Sequence, residues 1–107
     1  MTIKLVITER AHQDIERNAV WWAQNHSLDQ AVLWQATVYD QLESILLMPE
    51  SYPLVREADA IGEPLRQRIV GLGRGGYRAV FRITGDAVQV LTIRRGAQSD
   101  LSPIDVR

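Results

Sequence analysis

At 107 residues the chain has room for one domain, residues 1–107, and little more. Its 46% hydrophobic and 23% charged residues are an ordinary globular balance, which argues against disorder. The absence of cysteine excludes disulfides and thiolate chemistry, and leaves a zinc site only His12, His26 and carboxylates to draw on; no metal and no cofactor is expected.

The net charge of −1 conceals a split. Residues 1–63 carry ten acidic and four basic residues, whereas residues 64–107 carry eight basic and three acidic ones. All eight of those cations are arginine, which grips phosphate or carboxylate bidentately where lysine offers only a point charge. An anionic partner for the C-terminal half is therefore expected. Met1 to Val6 holds one lysine and no long apolar stretch, and no apolar run approaches the roughly 20 residues of a membrane span. The expected location is the cytoplasm, with no membrane partner.

In chain order, Ile3–Ile7 is β-branched and weakly alternating, so it predicts a strand. Thr8 then serves as an N-cap with Glu9 in the first turn, and Ala11, Ile15, Ala19 and Trp22 recur at helical spacing as far as Asn25. Ser27 with Gln30 matches a capping box. Ala31, Trp34, Val38, Leu42 and Ile45 lie on one face of the second helix, which Pro49 ends. The short connection makes the two helices an antiparallel hairpin. Residues 48–64 hold three prolines and no period, and are read as a loop that is functional or covers an edge. Leu65–Leu72, Tyr77–Thr84 and Ala87–Arg95 follow as strands, separated by Gly73-Arg74-Gly75-Gly76 and by the two-residue hairpin signal Gly85-Asp86. Ala97–Arg107 is expected to be a polar tail, with Asp100 and Asp105 exposed.

The second hairpin sets a register. With Thr84 opposite Ala87, Ile83 faces Val88, Phe81 faces Val90 and Ala79 faces Thr92, and these six share the face under the helices. Arg78, Val80, Arg82, Gln89, Leu91 and Ile93 then share the other face, with Arg66 and Arg68 alongside on the neighbouring strand. That face is half apolar, carries arginines and is expected to be open. Its arginines read either as solvated strand residues or as a binding surface. The fold class is α+β with the order β-α-α-β-β-β, an antiparallel sheet with the two-helix hairpin packed on one face.

This order, together with Leu65-Arg66-Gln67-Arg68-Ile69-Val70-Gly71-Leu72, Gly76-Tyr77-Arg78-Ala79-Val80-Phe81-Arg82-Ile83 and Val88 to Gly96, resembles the RelE/ParE toxin superfamily of type II toxin–antitoxin systems. The specific motifs lie between about Leu65 and Asp100. The resemblance implies a growth-inhibiting toxin, of the kind found in plasmid stabilisation. A cognate antitoxin encoded next to it would bind it in a hetero-oligomer, through an apolar helix on the hairpin and an acidic or extended segment at the sheet edge. It also implies one of two targets. The RelE-like branch cuts messenger RNA in the ribosome; the ParE-like branch inhibits DNA gyrase by binding.

RNA cleavage through a 2′-hydroxyl needs proton transfer. Arg78 matches the superfamily's sheet arginine, and in a nuclease Arg78, Arg82 and Arg95 would hold the scissile phosphate. The resemblance places the nuclease branch's post-strand basic pair on Ala97 and Gln98, and its late tyrosine on Ile104. Arginine, with a pKa above 12, is a poor proton shuttle. The Arg94-Arg95-Gly96-Ala97-Gln98-Ser99-Asp100 stretch resembles the Gly-x-x-x-Asp ending of ParE-like chains. The expected site is therefore not catalytic: Arg66, Arg68, Arg74, Arg78, Arg82, Arg94 and Arg95, with Trp21, are the expected contacts to target or antitoxin. Trp22 and Trp34 read as packing, Trp21 falls partly outside the apolar stripe, and His12 and His26 read as surface or cap residues.

Overall fold

In the computed structural model, which describes residues 2–96 and 100–106, the chain runs through β1 (Lys4–Ile7), α1 (Glu9–Asn25), α2 (Leu28–Ser44), a single-turn α3 (Ala58–Ile61), β2 (Arg66–Val70), β3 (Tyr77–Thr84) and β4 (Ala87–Arg95). The strands lie in the order β1-β4-β3-β2. The α+β class and the β-α-α-β-β-β order hold. One detail is corrected: β1 runs parallel to β4, while the β2–β3 and β3–β4 pairs are antiparallel, so the sheet is mixed. The meander fixes only its own three strands. β1 lies outside the meander, at the β4 edge, and is joined to it through the helix hairpin.

Thr8 turns β1 into α1. Its N–H donates to the Val90 carbonyl (3.1 Å), its hydroxyl donates to Leu91 O (3.1 Å), and the same oxygen caps the Ala11 N–H at 3.1 Å. Ser27 caps α2 through the Gln30 N–H at 3.1 Å. Each cap satisfies a helical N–H that has no partner inside the helix, worth about 1 kcal/mol. Ile15 from α1, Trp34, Val38 and Leu42 from α2, and Phe81, Val88 and Val90 from the sheet form the main core. Burying each such large side chain contributes about 1.5–3 kcal/mol.

Residues 48–64 are not a plain loop. They contain a 3-10 turn at Pro49–Ser51, the helix α3, and a β-bridge between Leu54 and Arg66 along the edge of β2. Gln67 N–H donates to Pro53 O (3.0 Å) and Val55 N–H to Leu65 O (2.9 Å), so this segment covers part of that edge, which would otherwise be open. The end of the chain is not a polar tail either. Leu101 and Val106 are buried, and with Val55, Ala58, Leu65, Val80 and Leu91 they form a second apolar cluster beneath the sheet. The expected open face is thus closed. Its alternating Val80 and Leu91 needed an apolar cover, and residues 55–65 and 101–106 supply it.

The β3–β4 register follows expectation from Thr84↔Ala87 to Phe81↔Val90, then shifts at a bulge. Leu91 is the extra residue, so Ala79 pairs with Ile93 and not with Thr92. Ile93 consequently packs in the core under the helices. A carboxylate on α1 holds the bulge in place: Asp14, almost fully buried, accepts the Thr92 hydroxyl at 2.6 Å and the Ile93 N–H at 3.1 Å. Gly85 takes φ +57 in the β3–β4 turn, the left-handed conformation that a Gly-first two-residue hairpin requires. No helix among the described residues is long and apolar enough to cross a membrane.

Candidate functional site

The arginines expected to share one surface are distributed over three places. Arg78, Arg82 and Arg94 lie beneath the sheet. Arg66 and Arg68 pair with Phe81 and Ala79, which puts them on the helix side of β2 and not beside Arg78. Arg74 stands exposed in the β2–β3 turn, and Arg95 stacks on α1.

Arg78 is only 3% exposed. Its guanidinium donates to both Glu57 carboxylate oxygens, at 3.0 Å through one nitrogen and 2.5 Å through the other, and to the Gln67 side-chain oxygen at 3.2 Å. Glu57 also accepts the Leu101 N–H at 2.9 Å. The Arg78 hydrogen bond pulls the Glu57 carboxyl down to a pKa of about 2, against the opposing effect of burial and with help from the Leu101 amide. One carboxylate therefore joins the α3 segment, β3 and the C-terminal segment.

The same closure repeats along the face. Arg82 is held bidentately by Glu63 (2.6 and 2.9 Å) and donates to Gln89 (3.1 Å) and the Val106 carbonyl (2.9 Å). Arg94 donates to the Asp100 carbonyl at 3.1 Å and lies 3.5 Å from Asp105, which also takes Arg10 at 2.7 Å. Burial pushes the Asp105 carboxyl up, but the Ser102 amide, Arg94, the Ser102 hydroxyl and Arg10 outweigh it, so the net shift is downward. Asp105, expected in solvent, is buried, whereas Asp100 is exposed as expected and pairs with Arg56 at 2.6 Å. Ile104, the position of the late tyrosine, is exposed, while Ala97 and Gln98 lie outside the described residues. The arginines beneath the sheet have their anionic partners within the chain: Glu57, Glu63 and Asp105 pair with Arg78, Arg82 and Arg94.

The arginines outside that network make other contacts. Arg68 donates to the Gln41 carbonyl (3.1 Å) and the Ser44 hydroxyl (3.1 Å), so it caps the C-terminus of α2, where a cation also suits the helix dipole. Its guanidinium sits 5.6 Å from the Tyr52 ring, and Arg66 donates to the Tyr52 carbonyl at 2.7 Å. Arg95 lies 4.1 Å over the ring of Trp21, a cation–π contact on a partly exposed aromatic. Trp22 donates to the Tyr77 hydroxyl at 3.2 Å, and Trp34 is fully buried. His12 meets the Tyr39 hydroxyl at 2.7 Å across the hairpin, and His26 stacks on Trp22 at 4.6 Å. Among the described residues no cluster of His, Asp or Glu has the makings of a metal site.

The outer side of the hairpin carries a feature that no single residue announced. Glu16, Ala19, Val20 and Ala23 of α1 and Leu28, Ala31, Val32 and Gln35 of α2 line an open groove of about 390 Å³. Val20, Leu28 and Val32 are 54%, 70% and 62% exposed there. The inward stripe of each helix was legible from its period; the outward apolar positions only become contiguous once the two helices are laid side by side.

Comparison with known proteins fits this architecture. Residues 5–100 match the family described as "ParE toxin of type II toxin-antitoxin system, parDE", which is most of the chain. The chain belongs to the ParE toxin family. Among solved structures, this ParE-family chain is similar to one described as "Chromosomal ParDE TA system from P. aeruginosa", with a TM-score of 0.73 over 89% of this chain and 97% of that one, at 19% identity. At that identity the likeness speaks for the fold. A search of curated proteins returned no match. The ParE-like side of the expected resemblance holds, and an antitoxin partner comes with it as part of the system that the family describes.

Proposed function

We propose that this ParE-family toxin arrests growth in the cytoplasm by binding DNA gyrase, without cutting nucleic acid, and that its antitoxin silences it by seating a helix in the α1–α2 groove. The observation that carries the reading is the state of Arg78. The arginine matching the nuclease branch's sheet arginine is closed into an ion pair with Glu57 and shielded from solvent. A proton relay needs a group that titrates near the working pH. Glu57, held at about 2, stays ionised, and arginine stays protonated. Both histidines stand on the helix hairpin, His12 paired with Tyr39 and His26 stacked on Trp22. That chemistry favours an interface over an active site. The exposed Arg74, and Arg95 on its Trp21 platform, remain the cations best placed to meet a target, with Arg66 and Arg68 beside the hairpin.

Inducing the protein alone tests the reading. Negative supercoiling of a reporter plasmid should fall before protein synthesis does, and coexpressing the neighbouring gene should restore growth. Translation failing first, with codon-positioned cuts in ribosome-bound message, would give the function to the ribosome-dependent nuclease instead.

A further inference from the structure

We infer that the α1–α2 groove is built for an amphipathic helix whose apolar stripe is flanked by lysines or arginines. The inference rests on the reading that a partner helix seats there, and adds the chemistry of that helix.

The groove floor is made of Ala19, Ala23 and Ala31, with Val20, Leu28 and Val32 rising beside it. Small side chains let another backbone approach closely, and the exposed valines and leucine give the partner apolar surface to bury. Both helices are 17 residues long, about 25 Å at 1.5 Å per residue. A partner helix of four or five turns, with apolar residues at i, i+3, i+4 and i+7, matches that length and shape.

The charge around the groove decides what flanks the stripe. The two helices carry Glu9, Glu16, Asp29, Asp40 and Glu43, none with a cationic partner among the described residues. Their only cations are Arg10 and Arg17. Arg10 is tied to Asp105 at 2.7 Å, and Arg17 to Asp14 at 3.1 Å. The groove lining holds one acid, Glu16, and no cation, and the exposed Asp29 stands next to the lining residue Leu28. A second copy of this chain would bring the same acids against themselves, and nucleic acid or an anionic lipid surface would be repelled. A basic-flanked helix gains in on-rate and in discrimination, which is where complementary charge acts most. It also distinguishes two partner segments, because an acidic one would be drawn to Arg66 and Arg74 of the sheet.

Two synthetic helical peptides with one shared apolar stripe test this, one flanked by lysine and arginine and its twin by glutamate. Each is titrated into the isotopically labelled protein at low salt, following backbone amide shifts. The basic peptide should bind at least about tenfold tighter, shift amides confined to residues 16–35, and weaken as salt screens the charges. A Glu16→Lys/Asp29→Lys variant, at two exposed positions, should reverse the preference. Equal affinities, a preference for the glutamate peptide, or no binding by either at millimolar peptide overturns the inference. The underlying reading fails separately: it falls if the cognate antitoxin binds a Val20→Asp/Val32→Asp variant with unchanged affinity.

Discussion

Replacing Glu57 with glutamine removes the charge that holds Arg78 while keeping nearly the same shape. In the wild type, Glu57 takes two hydrogen bonds from the buried guanidinium and one from the Leu101 amide. Glutamine retains one acceptor oxygen, which in the Oε2 position can still take Arg78 and Leu101, but it loses the second acceptor and the negative charge that faces the buried guanidinium. Two routes give the size of the loss. Breaking a buried ion pair from one side costs about 3–5 kcal/mol. The carboxyl's fall from 4.5 to about 2, at about 1.4 kcal/mol per pH unit, gives about 3 kcal/mol. Some solvent access trims both, so about 2–4 kcal/mol is expected, or roughly 10–20 °C in Tm for a chain of this size. Urea unfolding followed by tryptophan fluorescence measures it, since Trp22 and Trp34 both pack in the core. Removing both partners together, as Glu57→Leu with Arg78→Met, should recover most of the loss, because a buried pair is worth little net against apolar residues of similar volume. A Glu57→Gln protein within about 0.5 kcal/mol of wild type, or a double variant worse than the single one, would refute the buried-pair reasoning.

Glu57 has a folded pKa below its ordinary value, so its contribution is fully present above about pH 4.5 and is lost as the pH falls towards 2. The stability difference between wild type and Glu57→Gln should accordingly be constant from pH 5 upward and shrink by about 3 kcal/mol towards pH 2, as read from urea midpoints. Asp14→Ala should cost about 2–4 kcal/mol, because it strands the Thr92 hydroxyl and the Ile93 amide in the core. Faster hydrogen exchange at Ile93 checks it, and Asp14→Asn should lose less. Arg74→Ala and Arg95→Ala should each lower toxicity by a step, at about 1–3 kcal/mol of binding apiece. Arg78→Ala should act through unfolding instead. Growth arrest titrated against inducer at matched soluble protein separates these, and complete loss from one exposed arginine beside an unaffected other would contradict an interface mechanism.

The fold was largely legible because its signals are local. Thr8 and Ser27 announced the helix starts, Gly85-Asp86 announced the hairpin, and β3 and β4 came out with their full lengths. What escaped was non-local. The turn fixes the register only until a residue is inserted, and nothing near Leu91 signals the bulge. Asp14 offered a faint clue, a carboxylate lying between Ala11 and Ile15 on an otherwise apolar stripe. The arginines were misplaced for a related reason: alternation says that Arg78 and Arg82 share a face, but not what covers it. The acids that close that face, Glu57, Glu63 and Asp105, sit in segments without a period. Adjacency alone sets Arg66 and Arg68 beside Arg78, but pairing with Phe81 and Ala79 puts them on the other side.

The most direct test of the mechanism is supercoiling by purified DNA gyrase in the presence of the purified toxin. Binding to gyrase predicts that supercoiling falls as toxin is added, saturates, and returns when the antitoxin is supplied, with ribosome-bound message left intact. Full supercoiling at saturating, correctly folded toxin would contradict the account, and codon-positioned cleavage of that message would replace it.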